Sequence, residues 1–161
     1  MILVTLGTHL RPMDRLIEAL DALAASGDID ERVIIQAAVV GRSPVHLETV
    51  GVVPYEQLDR WARESSVIVT HGGPGSIVLA LAAGRRPVVV PRDPSRGEHV
   101  DDHQIRFVRW LASRRPIRPV FEMDDLASAI AEVRAAPRPQ DPADHPAEGA
   151  VRRLREILAA R

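Results

Sequence analysis

Short aliphatic runs alternate along the chain with stretches of helical periodicity, and this alternation constrains the fold more than any other feature. Each run is too short for a helix and leads into a loop with glycine, proline or polar residues. Such strand-then-helix order predicts an α/β fold in which helices cover both faces of a parallel sheet. The predicted strands are 2–6, 33–36, 67–70 and 87–90, with extended pieces at 50–53 and 117–120. The predicted helices are 12–25, 54–62, 77–83, 102–112 and 125–133.

The composition agrees with a domain of this kind. Aromatic residues make up only 3% of the 161 residues, so Val, Ile, Leu and Ala must build the core. The net charge of -1 provides no general basic field for nucleic acid. The absence of cysteine excludes disulfides, thiolate metal sites and cysteine catalysis. No apolar run approaches the roughly 20 residues of a membrane span, so we expect a soluble, cytoplasmic chain.

Three segments are predicted. Residues 1–136 are expected to form a Rossmann-like domain. Residues 137–149 contain four prolines among polar residues and are expected to be a linker. Residues 150–161 place apolar side chains on one side of a short helix, which either docks on a partner or folds back on its own domain.

A glycine-rich turn, HGGPGS at residues 71–76, lies between a predicted strand and a predicted helix. Its glycines would let backbone N–H groups approach an anion, and the helix would present further free N–H groups to it. The Ser76 hydroxyl could donate to a phosphate oxygen. The turn matches neither the dinucleotide fingerprint nor the P-loop. A plain tight turn with a satisfied His71 is the alternative to phosphate binding.

A second polar loop, RDPSRGEHVDDHQ at residues 92–104, follows the next strand. Its hydrogen-bonding groups suit sugar or ribose hydroxyls, and Arg92 could balance phosphate charge. Metal binding through His99 and His103 is one alternative, although the order of a zinc-protease motif is missing. A solvated loop with a helix cap is the other.

The first loop, Gly7-Thr8-His9, follows the first strand. It could offer N–H groups and a hydroxyl to a ligand, although an ordinary turn would look the same. Because the carboxyl ends of parallel strands meet at one sheet edge, the three loops should converge there.

Together these segments are recognisable. The stretches GTHLRPMDRLI, VIIQ, THGGPGSI, GRRPVVVPR and GEHVDDHQ occur in this order within residues 1–135. The chain resembles the small catalytic subunits of split family-28-type glycosyltransferases, which serve bacterial exopolysaccharide synthesis and the eukaryotic addition of N-acetylglucosamine to a dolichol-linked sugar. The resemblance implies the C-terminal half of a GT-B enzyme.

The resemblance also implies roles for residues. A UDP-sugar donor would lie across the sheet edge and pass its sugar to a polyprenyl-diphosphate-linked acceptor. A membrane-anchored partner subunit would hold this acceptor and keep the chain peripheral at the inner face of the membrane. No metal or other cofactor is expected. The residues implied for the donor are Gly7, Thr8, His71, Gly72, Gly73, Gly75, Ser76, Arg92, Glu98, His99, His103 and Gln104.

One departure leaves alternatives open. Many relatives have a Glu that contacts the ribose where this chain has Leu79, so either another carboxylate, Glu98 or Asp101, takes this role or the ribose contact is weaker. His9 and His71 are weak candidates for the catalytic base. A non-catalytic nucleotide-sugar-binding or regulatory subunit is therefore the main alternative function, and a phosphate-binding hydrolase is a third. The transferred sugar and a homodimer of the isolated chain also stay open.

Overall fold

The computed structural model describes residues 1–137, which form one twisted parallel sheet between two layers of helices. All neighbouring strands pair in parallel, in the order β3-β2-β1-β4-β5-β6. The predicted α/β class with a Rossmann-like parallel sheet is confirmed. The strands are β1 (Ile2–Thr5), β2 (Val33–Gln36), β3 (Glu48–Val50), β4 (Val67–His71), β5 (Val88–Val90) and β6 (Arg118–Pro119).

Helices connect successive strands, apart from the loop between β2 and β3. Gly27 ends the first helix in the left-handed conformation, with φ of 84°, which glycine adopts without strain. Short 3-10 turns at Pro94–Arg96 and Met123–Asp125 precede the last two helices. The helices are α1 (Asp14–Ser26), α2 (Tyr55–Glu64), α3 (Pro74–Ala82), α4 (His103–Ala112) and α5 (Leu126–Ala135).

The core lies on both faces of the sheet, because successive strand residues point to opposite sides. Ile2 and Val4 pack with α1 and α5 on one face. Leu3 lies on the other face, against α2 and α3. Both faces of the central strands are therefore buried, which explains their unbroken aliphatic runs.

The two edge strands are shorter than expected or displaced from their expected positions. An extended piece was predicted at 50–53, but the strand β3 is Glu48–Val50. β3 is an edge strand beside β2, and the last hydrogen bond between the two runs from the Ala37 N–H to the Val50 carbonyl. Regular strand geometry in β6 covers only Arg118–Pro119, although the Val120 N–H still donates to the Val89 carbonyl at 2.9 Å. Pro119, which has no N–H to donate, is tolerated because β6 is an edge strand.

The predicted domain boundary at residue 136 falls just after α5. The predicted linker, beyond its first residue, and the predicted C-terminal helix lie outside the described residues. No helix within residues 1–137 has the length and apolar character needed to cross a membrane.

Candidate functional site

The loops after β1, β4 and β5 meet at the carboxyl edge of the sheet, as the parallel arrangement requires. His71 ends β4, and its ring lies between the backbones of Gly7 and Gly73. A Cβ atom on Gly73 would lie 2.3 Å from Nε2 of His71, and one on Gly7 would lie 3.0 Å from its Cε1. Gly7 also has a φ of 72°. These two glycines therefore make room for the histidine, and the first two loops are in direct contact.

The third loop joins them through Gln104 at the start of α4. A Cβ atom on Gly72 would lie 3.0 Å from the Cβ and 3.1 Å from the Oε1 atom of Gln104. The same Oε1 accepts a hydrogen bond from the Arg92 N–H at 3.1 Å. The amide nitrogen of Gln104 makes no hydrogen bond within residues 1–137. The side-chain carbonyl oxygen of Gln104 is therefore used within the protein, and its NH₂ group is available to a ligand.

The N-terminus of α3 lies within this ring of loops. Gly73 precedes the helix with no side-chain cap, and Pro74 occupies the first turn, where no donor is needed. The first N–H groups of a helix have no carbonyl partner of their own, and they carry partial positive charge. A Cβ atom on Gly75 would meet nothing within 4 Å. The half-buried Ser76 makes no side-chain hydrogen bond with the described residues. These features suit an anionic ligand.

Arg92, which the sequence placed among the donor-binding residues, lies beneath the loops. It is only 1% exposed. Its guanidinium donates to the carbonyls of Leu6 at 3.0 Å, Arg11 at 2.6 Å and Glu98 at 3.3 Å. Nε is buried and has no hydrogen-bond partner among the described atoms. Arg92 therefore ties the first loop to the third, and its positive charge acts on a ligand through space.

Glu98, another predicted donor residue, is also buried. Its carboxylate accepts from Arg15 of α1, with Nε to Oε1 at 2.8 Å, and from the Asp93 N–H at 2.9 Å. This ion pair holds the third loop against α1. Of the two carboxylates suggested as substitutes for the missing ribose contact, only Asp101 is exposed. Leu79 itself packs in the core near Leu3, not in the cleft.

Three histidines group at the open side of the site. The ring of His99 lies 4.8 Å from that of His9 and 4.6 Å from that of His103, measured between centroids. Asp101 contacts the Nδ1 atom of His103 at 2.5 Å. The ligand atoms of His99, Asp101 and His103 lie within 4.8 Å of one another, so a metal ion could be held there. The same groups could equally bind sugar hydroxyls.

Burial, aided by the charge of Arg92, favours the neutral form of His71, His9 and His99. The pKa of His71 is lowered to about 4, mainly by burial, and the charge of Arg92 contributes to this shift. Burial and then Arg92 also lower the pKa of His9. For His99, burial and the neighbouring His103 lower the pKa. At neutral pH the site therefore offers uncharged imidazoles above a fixed positive charge.

The two candidate bases differ in access. The Nδ1 atom of His71 lies 3.2 Å from the Thr5 carbonyl, so the neutral ring donates there, while its other nitrogen faces Gly73. His9 is half-buried beside the exposed Thr8, and its Nδ1 accepts from the Arg11 N–H at 3.2 Å. The geometry favours His9 as the imidazole that can reach a ligand, and His71 as part of the scaffold.

Two residues of the site were missed by the sequence analysis. Arg11 donates to the carbonyls of Gly97 and His99 at 3.2 Å each, and Arg15 pairs with Glu98. Arg15 lies in the first turn of α1 and Arg11 lies three residues before this helix begins, so no regular spacing in the sequence signalled either role.

Comparisons with known proteins agree with this architecture. No curated protein sequence matches the chain significantly. Among solved structures, the glycotransferase of kitacinnamycin is 25% identical with a TM-score of 0.58, over 94% of this chain and 38% of its own. Spinosyn forosaminyltransferase SpnP is 19% identical with a TM-score of 0.51, over 98% of this chain and 43% of its own, and supports the fold alone. The chain thus spans less than half the length of either protein. Residues 1–156 match the glycosyltransferase family 28 C-terminal domain, and the chain belongs to this family.

Proposed function

We propose that the chain binds the nucleotide-sugar donor of a glycosyl transfer, with the donor diphosphate at the N-terminus of α3. The observation that carries this proposal is the uncapped first turn of α3, where Gly75 has open space around it and Ser76 has an unused hydroxyl. Three loops surround this turn, and membership of the family supports the same location.

Charge favours a diphosphate at this position. The partial positive charge of the helix end and the full charge of the buried Arg92 act on the same space. Water is excluded from Arg92, so its field is screened less than that of a surface arginine. Both charges would stabilise the diphosphate as it leaves the sugar, and the transfer would then need no metal ion.

The donor in this proposal is a UDP-sugar, as the family resemblance implies. Its sugar would lie towards the third loop, where His103 is exposed and the Gln104 amide nitrogen is unused. His9 borders the same space from the first loop, where its ring contacts that of His99 in a tilted arrangement. Neutral imidazoles and an amide can both donate to and accept from hydroxyl groups.

The acceptor proposed is a polyprenyl-diphosphate-linked sugar. A membrane-anchored partner subunit would bind it and close the donor cleft from the open side. This arrangement keeps the chain peripheral at the inner face of the membrane.

Calorimetric titration of the full chain with UMP, UDP and a series of UDP-sugars tests donor binding. We expect UDP and at least one UDP-sugar to bind more tightly than UMP, because UMP lacks the second phosphate. Ser76→Ala should weaken UDP binding about tenfold through loss of one charge-assisted hydrogen bond. Ser128→Ala removes a hydroxyl that donates to the Asp125 carbonyl on α5, and should leave binding unchanged. Equal effects of the two variants would contradict the proposed site.

Transfer needs a separate experiment with the partner and a lipid-linked acceptor. His103→Ala should reduce turnover at saturating donor while the chain still binds UDP. Binding without any turnover in the reconstituted system would favour the non-catalytic subunit instead. Release of free sugar without an acceptor would favour the hydrolase.

A further inference from the structure

The outer face of α4 differs in charge from the rest of the chain. Residues 103–121 contain five arginines and no Asp or Glu, although the chain as a whole has a net charge of -1. Positive charge is therefore concentrated in one helix and the turn that follows it. None of these arginines belongs to the donor site described above.

An exposed tryptophan lies among these arginines. Trp110 is 53% exposed. Arg106, four residues before it, and Arg109, one residue before it, are exposed on the same side of the helix. The opposite side of α4 is held in the core by Val108 and Leu111. The helix is thus anchored through one face and presents a basic, aromatic face to solvent.

Contacts within this face hold the indole in place and leave most of its charge unpaired. The guanidinium of Arg114 lies 4.8 Å from the Trp110 ring centre, and the ring of Phe107 stacks on it at 6.1 Å. Within residues 1–137, Arg109, Arg114 and Arg115 form no ion pair with a carboxylate.

We propose that this basic-aromatic face of α4, defined by Arg106, Arg109, Trp110, Arg114 and Arg115, binds the anionic surface of a lipid bilayer. Tryptophan prefers the headgroup region, where its ring is apolar and its N–H can reach water or phosphate. Arginines around it attract anionic headgroups, and each strengthens binding about fivefold. The face is a convex helix surface with spread charge, which suits a fluid array of phosphates better than one fixed partner.

This inference does not depend on the proposed transferase activity, but the two are compatible. Trp110 lies seven residues from His103, where α4 leaves the donor site. At 1.5 Å per residue, Trp110 lies about 10 Å along the helix from the cleft. A chain bound in this way would hold its donor site close to the membrane surface, where a lipid-linked acceptor lies.

Vesicle co-sedimentation of the full chain, without UDP or partner, tests the proposal. We expect binding to vesicles of phosphatidylcholine with 30% phosphatidylglycerol, little binding to phosphatidylcholine alone, and loss of binding in about 0.5 M salt. The double variant Arg109→Glu with Arg114→Glu should weaken binding at least 25-fold, because two positive charges are lost and two negative charges are gained. Arg42→Glu is the control, because it reverses one charge on an exposed arginine outside this face, where Arg42 pairs with Glu18 of α1. It should change vesicle binding less than twofold.

Fluorescence distinguishes contact at this face from contact elsewhere. In a Trp61→Phe variant, Trp110 is the single tryptophan, and its emission should shift to shorter wavelength on anionic vesicles. An unshifted emission with the chain bound, or equal losses for the α4 and Arg42 variants, would overturn the proposal. So would arginine-dependent binding to polyglutamate combined with no binding to vesicles, since an acidic protein would then be the partner.

Discussion

Replacing Gly73 with alanine should separate the structural role of the glycine-rich turn from its ligand role. Gly73 has φ of -77° and ψ of 130°, which alanine adopts without strain, so only the added methyl group matters. That group would lie 2.3 Å from Nε2 of His71. Because a carbon–nitrogen contact needs more than 3 Å, the ring has to move by about 1 Å.

The ring has little freedom to move. Gly7 approaches it from the other side, and its Nδ1 atom is bonded to the Thr5 carbonyl. Overpacking of this kind typically costs about 1–3 kcal/mol, and we expect Gly73→Ala to lower the free energy of unfolding by about 2 kcal/mol. Gly75→Ala is the matched control, because its Cβ meets nothing within 4 Å. It should leave stability unchanged or raise it by up to about 1 kcal/mol, since alanine favours helix.

Urea denaturation of the two variants, with UDP titration of each, measures both effects. Gly73→Ala should be the less stable variant. Gly75→Ala should keep its stability and bind UDP more weakly, because its methyl group enters the space proposed for the diphosphate. A double-mutant cycle with His71→Ala completes the experiment: in that background Gly73→Ala should cost less than about 0.5 kcal/mol. Equal stabilities of the two single variants, or an unchanged cost in the His71→Ala background, would refute the steric argument.

Three further predictions concern the same site. Arg92→Met should destabilise the chain by about 3 kcal/mol in urea denaturation, because it leaves three carbonyls unpaired, those of Leu6 and Glu98 being buried. Arg96→Met on the surface of the same loop should change stability by less than about 0.5 kcal/mol. The folded pKa of His71, about 4 against an ordinary 6.5, means that the unfolded chain binds a proton more readily. Stability should therefore fall by about 3 kcal/mol in total between pH 6.5 and 4, and His71→Asn should lack this part of the pH profile. EDTA should leave UDP binding unchanged by calorimetry; a loss restored by zinc would instead assign a metal to the His99 cluster.

The alternation of strands and helices was enough to predict the fold and the convergence of three loops at one sheet edge. Buried strands such as Val33–Gln36 have an aliphatic pattern that few other structures tolerate, and parallel pairing follows from the intervening helices. Once the strands are parallel, their following loops must share one edge. The convergence of the loops at Gly7, His71 and Gln104 required no further information.

The sequence did not show which polar side chains of the loops face solvent. Arg92 and Glu98 were predicted to contact the donor, like His103, but both are buried. Their partners are far away in the chain: Leu6 lies 86 residues from Arg92, and Arg15 lies 83 residues from Glu98. Hydrogen bonds over such separations depend on the exact packing of loops, which periodicity and composition do not encode.

Burial divides the polar residues of the cleft into two groups with different expected phenotypes. Arg92 bonds to the first loop and Glu98 to α1, so their replacement should lower stability first and affect ligand binding as a consequence. Ser76 and His103 are accessible and hold little of the scaffold together, so their replacement should weaken ligand binding at nearly constant stability. The glycines divide in the same way, since Gly73 accommodates a side chain while Gly75 borders open space. A motif that looks uniform in sequence thus combines residues that shape the site with residues that can touch its ligand, and stability measured beside UDP affinity for each variant distinguishes them.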